Sequence, residues 1–212
     1  MFESTLSRHA QKTLAVLGKS GIFTDAYLAG GSALALHFGH RISVDFDFFT
    51  PQPFDPKTMS STLRTIGSFE EKVAKGITLI GLFEEIQLSC FQYAYPLLQS
   101  TTSFADVAVA HPYDIAAMKL VAISDRSTKK DYVDLYELVQ QGISLDVMLE
   151  LYQKKYGILV ENIFTLIKSL RYFEDIDQTE MPKMLKPLPW DSVKSFFIAE
   201  SIRLGKKYLE DE

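Results

Sequence analysis

The sequence contains very little cysteine, and this scarcity excludes two kinds of site. Cys90 is the only cysteine in 212 residues, so the chain can form neither an intramolecular disulfide nor a zinc site with several cysteine ligands. A chain without disulfides fits a reducing compartment, and we expect a cytoplasmic location. Histidine gives no metal site either, because no shared helix face carries a ligand spacing among His9, His37, His40 and His111.

Long apolar runs and an excess of positive charge are also missing. No stretch approaches the ~18 apolar residues of a membrane-spanning helix, and residues 1–20 lack the continuous apolar core of a signal peptide. We therefore expect no membrane association. The 22 basic and 27 acidic residues give a net charge of −5, which argues against a non-specific nucleic-acid coat but allows a local basic patch. The pattern G-x-x-x-x-G-K-[S/T] is absent, which excludes a P-loop NTPase.

The apolar pattern divides the chain into an α+β half and a helical half. Residues 1–110 begin with an amphipathic helix and continue with short helices and predicted strands over 22–29, 42–49, 69–73, 77–83, 86–93 and 104–109. Residues 111–212 show helical periodicity from Pro112 onward. The predicted fold class is α+β, with a mixed β-sheet flanked by helices and followed by a helical C-terminal half.

Two carboxylates alternate with apolar residues in one predicted strand. Because side chains alternate along a strand, we expect Asp45 and Asp47 on one face. Val44, Phe46 and Phe48 are then expected on the buried face. Adjacent carboxylates repel each other, and a divalent cation that prefers oxygen ligands, such as Mg²⁺, would relieve the repulsion. Taken alone, the same spacing is also typical of a solvated strand face.

A glycine turn precedes this strand. Gly30, Gly31 and Ser32 lie where a short strand meets a helix, and glycines there let backbone N–H groups approach a phosphate. Ser32 would cap the helix or donate its hydroxyl to a phosphate oxygen. Such a turn is weak support by itself, but together with the carboxylates on the next strand it favours a phosphate site beside a metal site.

The stretch from Leu28 to Phe49 resembles the DNA polymerase β-like nucleotidyltransferases, and more narrowly the AbiEii/AbiGii-type toxin nucleotidyltransferases. That family shows a G-G-[S/T]-A-L turn and then an R-x-S-x-D-x-D-F strand, whose fixed positions match Arg41, Ser43, Asp45, Asp47 and Phe48. The resemblance implies a polymerase β-like core that transfers NMP from an NTP to an acceptor hydroxyl with Mg²⁺. It also implies that the metal is held by Asp45 and Asp47. The nucleotide-binding residues that it implies here are Gly30, Gly31, Ser32, Arg41 and Ser43.

A second cluster, in residues 111–136, resembles later motifs of the same family, D-I-x-A-x-K-L and [R/K]-D-x-x-D-L-Y. The residues on these motifs are Asp114, Lys119, Lys130, Asp131 and Asp134. The resemblance implies that Lys119 neutralises phosphate charge and that Lys130 contacts nucleotide or RNA phosphates. It implies that Asp131 activates the attacking hydroxyl or orients Lys119.

Each residue of this cluster also has a structural explanation that stays open. Lys119 follows an apolar stretch and would extend its ammonium to solvent. The basic residues Arg126, Lys129 and Lys130 would form a solvated run in or beside a loop. Asp134 would pair with a basic neighbour or cap a helix.

The pattern departs from the superfamily at its third carboxylate. Our alignment places Ser89 where polymerase β-like enzymes carry that residue, and a serine hydroxyl does not supply its charge. Nearby alternatives are Glu84, Glu85 and Asp106. Of these, Asp106 is expected on the strand after Thr102, and Glu85 in a turn.

The resemblance implies the toxin component of a toxin–antitoxin system, with a helical half that completes the active-site cleft. The implied partners are an NTP, an acceptor that is a tRNA 3′ end or a protein hydroxyl, and a cognate antitoxin. Two alternatives remain. One is a catalytically weakened nucleotide- or partner-binding module of the same fold, which the serine at position 89 favours. The other is a small-molecule nucleotidyltransferase of the antibiotic-modifying type.

Overall fold

The structure, a computed structural model, describes residues 1–125, 127–157 and 160–209, with the backbone alone for residues 160–162 and 209. The contacts within the chain divide it into two compact units, Met1–His111 and Pro112–Glu212. The first unit is built on a mixed sheet with helices against it, and the second is predominantly helical. The α+β class predicted from the sequence is confirmed. None of the helices in the described ranges combines the length and apolarity that crossing a membrane requires.

The sheet of the first unit places one short strand at its centre. The strands are β1 (Tyr27–Ala29), β2 (Phe46–Thr50), β3 (Phe69–Lys75), β4 (Thr78–Phe83), β5 (Ile86–Gln92), β6 (Thr102–Phe104) and β7 (Val107–Val109). Their order across the sheet is β3-β4-β5-β2-β1-β7-β6. The central strand β2 runs antiparallel to β1 and parallel to β5, and β1 runs parallel to β7.

Three α-helices of the first unit have clear local signals. They are α1 (Arg8–Ser20), α2 (Gly30–Phe38) and α3 (Pro56–Ile66), and a single 3-10 turn precedes them at Glu3–Thr5. The Ser7 side chain caps α1. The Asp55 carboxylate caps α3, and Pro56 is its first residue. Helix α2 follows β1 without any loop, so the glycine turn is its first turn.

The two faces of β2 differ in burial. Phe46 and Phe48 are buried, and the ring of Phe48 stacks on that of Phe23 with 3.8 Å between centroids. Asp47 and Phe49 lie on the opposite, half-buried face. The apolar residues therefore fix which way the carboxylate of this strand points.

Several strand limits differ from the prediction. The strand expected over 42–49 begins only at Phe46, because the Ser43 N–H donates to the carbonyl of Thr5 and not to a ladder partner. Val44, expected on the buried face, is 55% exposed. The strand expected over 104–109 is a hairpin, in which Ala105 and Asp106 adopt φ of 51° and 60°. Positive φ at both central residues is typical of a tight two-residue hairpin turn.

The second unit packs its helices around an aromatic centre. Its described helices are α4 (Pro112–Asp125), α5 (Lys129–Gln140), α6 (Leu145–Tyr156), α7 (Val160–Ser169) and α8 (Trp190–Leu209), with a 3-10 turn at Ile176–Gln178. Helix α4 packs against α5, α6 and α7, and α8 packs against α5 and α7. The fully buried ring of Tyr132 contacts those of Phe173, Trp190 and Phe197. Pro112 begins α4, as predicted, and the Ser144 side chain caps α6.

Candidate active site

Asp47 occupies a central position in the sheet. It pairs with Ala29, the last residue of β1, and with Ser89 of β5. Residues that pair directly across strands project to the same face. The carboxylate of Asp47 and the hydroxyl of Ser89 therefore share one face, next to the point where β1 turns into α2.

Gly30 is required at this turn for two separate reasons. Its φ is +64°, a left-handed conformation that costs other residues about 1–2 kcal/mol. A β-carbon at this position would also lie 2.9 Å from the Oδ2 atom of Asp47. The carboxylate of the central strand thus packs directly against the first residue of α2.

Gly31 makes room for a different side chain. A β-carbon there would collide with the Nη2 atom of Arg41 and would lie 3.4 Å from the Oγ atom of Ser43. Arg41 is almost fully buried, and its Nη1 group donates to the carbonyl of Ile42 at 3.1 Å and to Ser43 Oγ at 3.4 Å. The interpretation from sequence credited both glycines to phosphate approach. It named Arg41 as a nucleotide-binding residue but did not foresee that the guanidinium packs behind Gly31.

Ser32 connects the glycine turn to the carboxylate segment. Its hydroxyl is buried and donates to the backbone carbonyl of Asp45. The N-cap position of α2 is held by Ala29, without a side-chain cap, so the expectation that Ser32 caps this helix is wrong. Asp45 itself precedes β2, which corrects the expectation that one strand carries both carboxylates. The hydroxyl of Ser32 instead holds the main chain at the start of the pair.

The structure therefore brings together one cluster from two stretches of chain. Contacts among these residues join the glycine turn to the segment that follows α2. The predicted site residues in the cluster are Gly30, Gly31, Ser32, Arg41, Ser43, Asp45 and Asp47.

The alternatives for a third carboxylate all lie in tight turns. Glu85 is in the β4–β5 turn, as expected, and the carboxylate of Glu84 accepts the backbone N–H of Ser68 at 2.7 Å. Asp106 is in the turn before β7 and not on a strand, so that expectation is wrong. The register pairs Val109 with Leu28, which places the start of β7 at the end of the sheet opposite to Asp47.

The donors at the cluster suit an ion that takes part of its coordination from the substrate. Among the residues that the structure describes, no group of three or more His, Cys, Asp or Glu side chains could hold a metal ion. The Asp47 carboxylate packs against the glycine turn, and Asp45, two residues before it, is held to the same turn through its backbone carbonyl. Mg²⁺ is usually bound through one or two carboxylates together with substrate phosphates. The residues present therefore fit Mg²⁺.

The second predicted cluster is a buried ion network. The Nζ atom of Lys119 lies 2.9 Å from Oδ1 of Asp131 and 2.7 Å from Oδ2 of Asp134. The other oxygen of Asp131 accepts the backbone N–H and the hydroxyl of Thr128, at 3.2 and 2.8 Å, in a capping box at the start of α5. The structural role predicted for Asp134, pairing with a basic neighbour, is confirmed.

The other charged residues near this network differ in their surroundings. Lys119 is only 8% exposed, so the alternative in which it extends to solvent is wrong. Asp114 pairs with the fully buried ammonium of Lys155 at 2.7 Å. Lys130 is exposed on the first turn of α5, and Arg126 lies outside the described residues.

One family model and one relative each match nearly the whole chain. Residues 12–98 and 92–201 match the family model described as nucleotidyl transferase AbiEii toxin, type IV toxin–antitoxin system. A protein of Aquifex aeolicus, "Uncharacterized protein aq_aa25", is 38% identical over 211 residues, which cover 97% of this chain and 98% of that protein.

Solved structures agree with this chain in fold. JHP933 from Helicobacter pylori superposes with a TM-score of 0.59 at 16% identity, covering 97% of this chain and 96% of that one. The nucleotidyltransferase toxin MenT4 from Mycobacterium tuberculosis superposes with a TM-score of 0.53 at 14% identity, covering 93% and 89%. The family model spans most of the chain, and the glycine turn and carboxylates that carry the resemblance form one cluster. The chain belongs to the AbiEii family of nucleotidyl transferase toxins and is a nucleotidyltransferase.

Proposed function

We propose that this nucleotidyltransferase transfers NMP from an NTP to an acceptor hydroxyl, with Mg²⁺ as its cofactor, and acts as the toxin of a toxin–antitoxin pair. The observation that carries the proposal is the packing of the Asp47 carboxylate against Gly30. This packing puts an acidic oxygen against the first residue of α2, a helix whose first N–H groups have no intrahelical partner. A triphosphate at those N–H groups would lie next to a carboxylate, an arrangement that is favourable only with a cation between them.

The triphosphate binds, in this proposal, at the first turn of α2. The first N–H groups of a helix have no intrahelical partner and carry partial positive charge. Gly30, Gly31 and Ser32 supply these groups, and Ser32 additionally fixes the main chain of Asp45. Arg41 places a buried positive charge behind Gly31, with Ser43 beside it. The helix N–H groups and the Arg41 charge would both favour a phosphate over a neutral ligand.

Asp45 and Asp47 are the proposed metal ligands. When bound, Mg²⁺ would offset the negative charge of the phosphates. The acceptor oxygen forms a bond to the α-phosphorus while the bond to the pyrophosphate oxygen breaks, and the hydroxyl proton passes to a base. The protein contributes mainly position and charge to such a transfer.

Lys119, Lys130 and Asp131 remain proposals for this reaction. Lys119 would stabilise phosphate charge, and exposed Lys130 would contact nucleotide or RNA phosphates. Both oxygens of Asp131 already accept hydrogen bonds, from Lys119 and from Thr128. Of its two expected roles, these contacts favour orienting Lys119 over taking the proton.

The acceptor that we propose is the 3′ end of a tRNA or a protein hydroxyl, in the cytoplasm, with a cognate antitoxin that restrains the enzyme. MenT4, which has a similar fold, is a nucleotidyltransferase toxin, and this supports the toxin part of the proposal. Ser89 in place of a third carboxylate favours the alternative of a weakened binding module. A small-molecule acceptor is the other alternative.

Transfer of label from each NTP, labelled at the α-phosphorus, into total tRNA, bulk protein and small hydroxyl compounds tests the proposal. Reactions contain Mg²⁺, and the Asp47→Ala variant is assayed in parallel. Label in RNA or protein that is absent with the variant supports the proposal and names the acceptor. Label only in a small molecule supports the second alternative. Mg²⁺-dependent NTP binding without any transfer supports the binding module.

A further inference from the structure

A groove in the second unit carries exposed aromatic rings beside positively charged side chains. It lies between the C-terminal end of α4 and the C-terminal half of α7, and its volume is about 880 Å³. Phe164, Lys168, Arg171 and Tyr172 line it. None of these residues belongs to the Lys119 network or to the glycine–carboxylate cluster.

Both rings are half exposed, Phe164 on α7 and Tyr172 just after that helix ends. Phe164 is 49% exposed and Tyr172 is 52% exposed. The core face of α7 is already formed by Ile163, Leu166 and Ile167, which are buried. The hydroxyl of Tyr172 donates to the Asp175 carboxylate at 3.2 Å, and the face of the ring stays available at the groove. Half-exposed rings in a groove are typical of a binding surface.

The positive charges are placed next to these rings. The Nζ atom of Lys168 lies 5.9 Å from the centroid of the Phe164 ring, and Arg171 lines the same groove as Tyr172. Among the residues that the structure describes, no carboxylate lies within 4.0 Å of either cation, whereas Lys194 and Arg203 on α8 both pair with carboxylates. Lys168 and Arg171 therefore offer charge for an incoming anion.

We infer that this groove binds a single-stranded segment of an RNA acceptor. Rings that stack on bases, together with cations that contact phosphates, are the combination by which proteins hold single strands. Asp125 and Asp175 also line the groove. With Lys168 and Arg171 they give the groove balanced charge, which offers little to a purely acidic peptide. A single strand matches both signs, because its phosphates contact cations and the exocyclic amines of its bases donate to carboxylates. The inference rests on the proposed function because it gives that reaction an RNA acceptor.

Fluorescence anisotropy of a labelled, unstructured RNA of about 12 nucleotides tests the inference. The titration uses the full chain with Asp47→Asn and no NTP, so binding is measured apart from catalysis. We expect Phe164→Leu and Tyr172→Ala each to weaken binding about tenfold, since each removes one stacked base. Tyr172→Phe keeps the ring and should bind like the parent. Exposed residues of α8 supply matched controls, Ile198→Ala and Lys206→Gln, which should also leave binding unchanged.

Salt dependence tests the contribution of the cations. For a single strand, each phosphate contact contributes about −0.7 to the slope of log K against log salt concentration, so two contacts give a slope of about −1.4. Lys168→Gln should reduce this contribution by about half. An unchanged slope in Lys168→Gln would overturn the assignment of that cation to a phosphate.

RNA binding and nucleotidyl transfer are measured separately, so the inference and the proposed function can be contradicted independently. Weaker RNA binding in the ring variants, with normal binding in the α8 controls, supports the inference even if no acceptor is ever labelled. Unchanged RNA binding in Phe164→Leu and Tyr172→Ala overturns it, and it does so without touching the proposed function if wild-type protein still labels RNA. If Phe164→Leu binds RNA normally and Tyr172→Ala does not, the Phe164 ring does not stack on a base, and that part of the inference is overturned. RNA that binds to none of the proteins overturns the inference as well.

Discussion

The carboxylate of Asp47 lies 2.9 Å from the position that a β-carbon would take at Gly30. Arg41 has the same relation to Gly31, where a β-carbon would meet its guanidinium group. The two glycines thus separate an acidic side chain from a basic one at the start of α2. The glycine turn and the carboxylate segment form one structural unit, and a change in either should disturb both.

We expect alanine at either glycine to lower transfer activity at least tenfold. Gly30→Ala must adopt a left-handed conformation, which costs about 1–2 kcal/mol of folding free energy, and must displace Asp47. Gly31→Ala must displace the buried guanidinium of Arg41. Urea denaturation measures the loss of folding free energy, and initial rates with saturating NTP measure the loss of activity.

Gly205 supplies the matched control for these variants. It lies within α8, and a β-carbon there would have no atom within 4 Å. Gly205→Ala should therefore keep full activity and stabilise the protein by up to about 1 kcal/mol. Full activity in Gly30→Ala would contradict the packing that we describe.

Ser89→Asp should change the response of the enzyme to Mg²⁺. The new carboxylate would lie directly opposite Asp47 on β5. Like charges at paired positions destabilise a sheet by up to about 1 kcal/mol, and a bound cation removes that repulsion. We expect lower thermal stability in EDTA, recovery with Mg²⁺, and half-maximal activity at a several-fold lower Mg²⁺ concentration. The isosteric variant Ser89→Asn should show none of these changes, and equal behaviour of the two variants would argue against a metal at Asp47.

Lys119→Met should destabilise the second unit strongly. The substitution leaves Asp131 and Asp134 without the buried ammonium that both contact. Loss of one partner from a buried ion pair typically costs about 3–5 kcal/mol. Chemical denaturation measures the loss, and Lys206→Met, on the exposed surface of α8, should change stability by less than about 0.5 kcal/mol. Normal stability together with lost activity would instead favour a purely catalytic role for Lys119.

The thiol of Cys90 should be inert in the folded protein. Burial raises its pKa from 9.0 to about 12. A thiol reagent at pH 8 should leave native protein unmodified and react at once after denaturation. Above pH 9.0 the thiol ionises in the unfolded chain but stays protonated in the folded protein, whose thiol pKa is about 12. The free energy of unfolding should therefore fall more steeply between pH 9.0 and about 12 in the wild type than in Cys90→Ala. Rapid modification of native protein would contradict the burial of this residue.

Local signals in the sequence were sufficient to predict where the clearly capped helices begin and to predict the fold class. Asp55 and Pro56 mark the start of α3, and Pro112 marks the start of α4. The hairpin at Ala105 and Asp106 escaped prediction because neither residue is the glycine or asparagine that usually adopts positive φ. Packing determines this turn, since the carbonyl of Ala105 lies so close to Gly18 that a β-carbon there would collide with it.

For the site too, residues close together in sequence could be predicted from spacing, whereas contacts made by helix packing could not. The spacing of Gly30, Gly31, Asp45 and Asp47 was enough to propose the cluster, because these residues lie within one strand–helix–strand stretch. The pairing of Lys119 with Asp131 was anticipated only through the family resemblance and not from spacing, since it depends on how α4 packs against α5.

The most direct test of the account compares two aspartates in one assay of nucleotidyl transfer. Asp47→Asn removes the charge that packs against the glycine turn, and Asp106→Asn removes an exposed charge at the opposite end of the sheet. Initial rates are measured with the same NTP, acceptor and Mg²⁺ concentration, and melting temperatures show that both variants fold. The account predicts a loss of at least 100-fold, about 2.7 kcal/mol, in Asp47→Asn and a rate within about twofold of wild type in Asp106→Asn. A folded Asp47→Asn variant that retains the wild-type rate would contradict it.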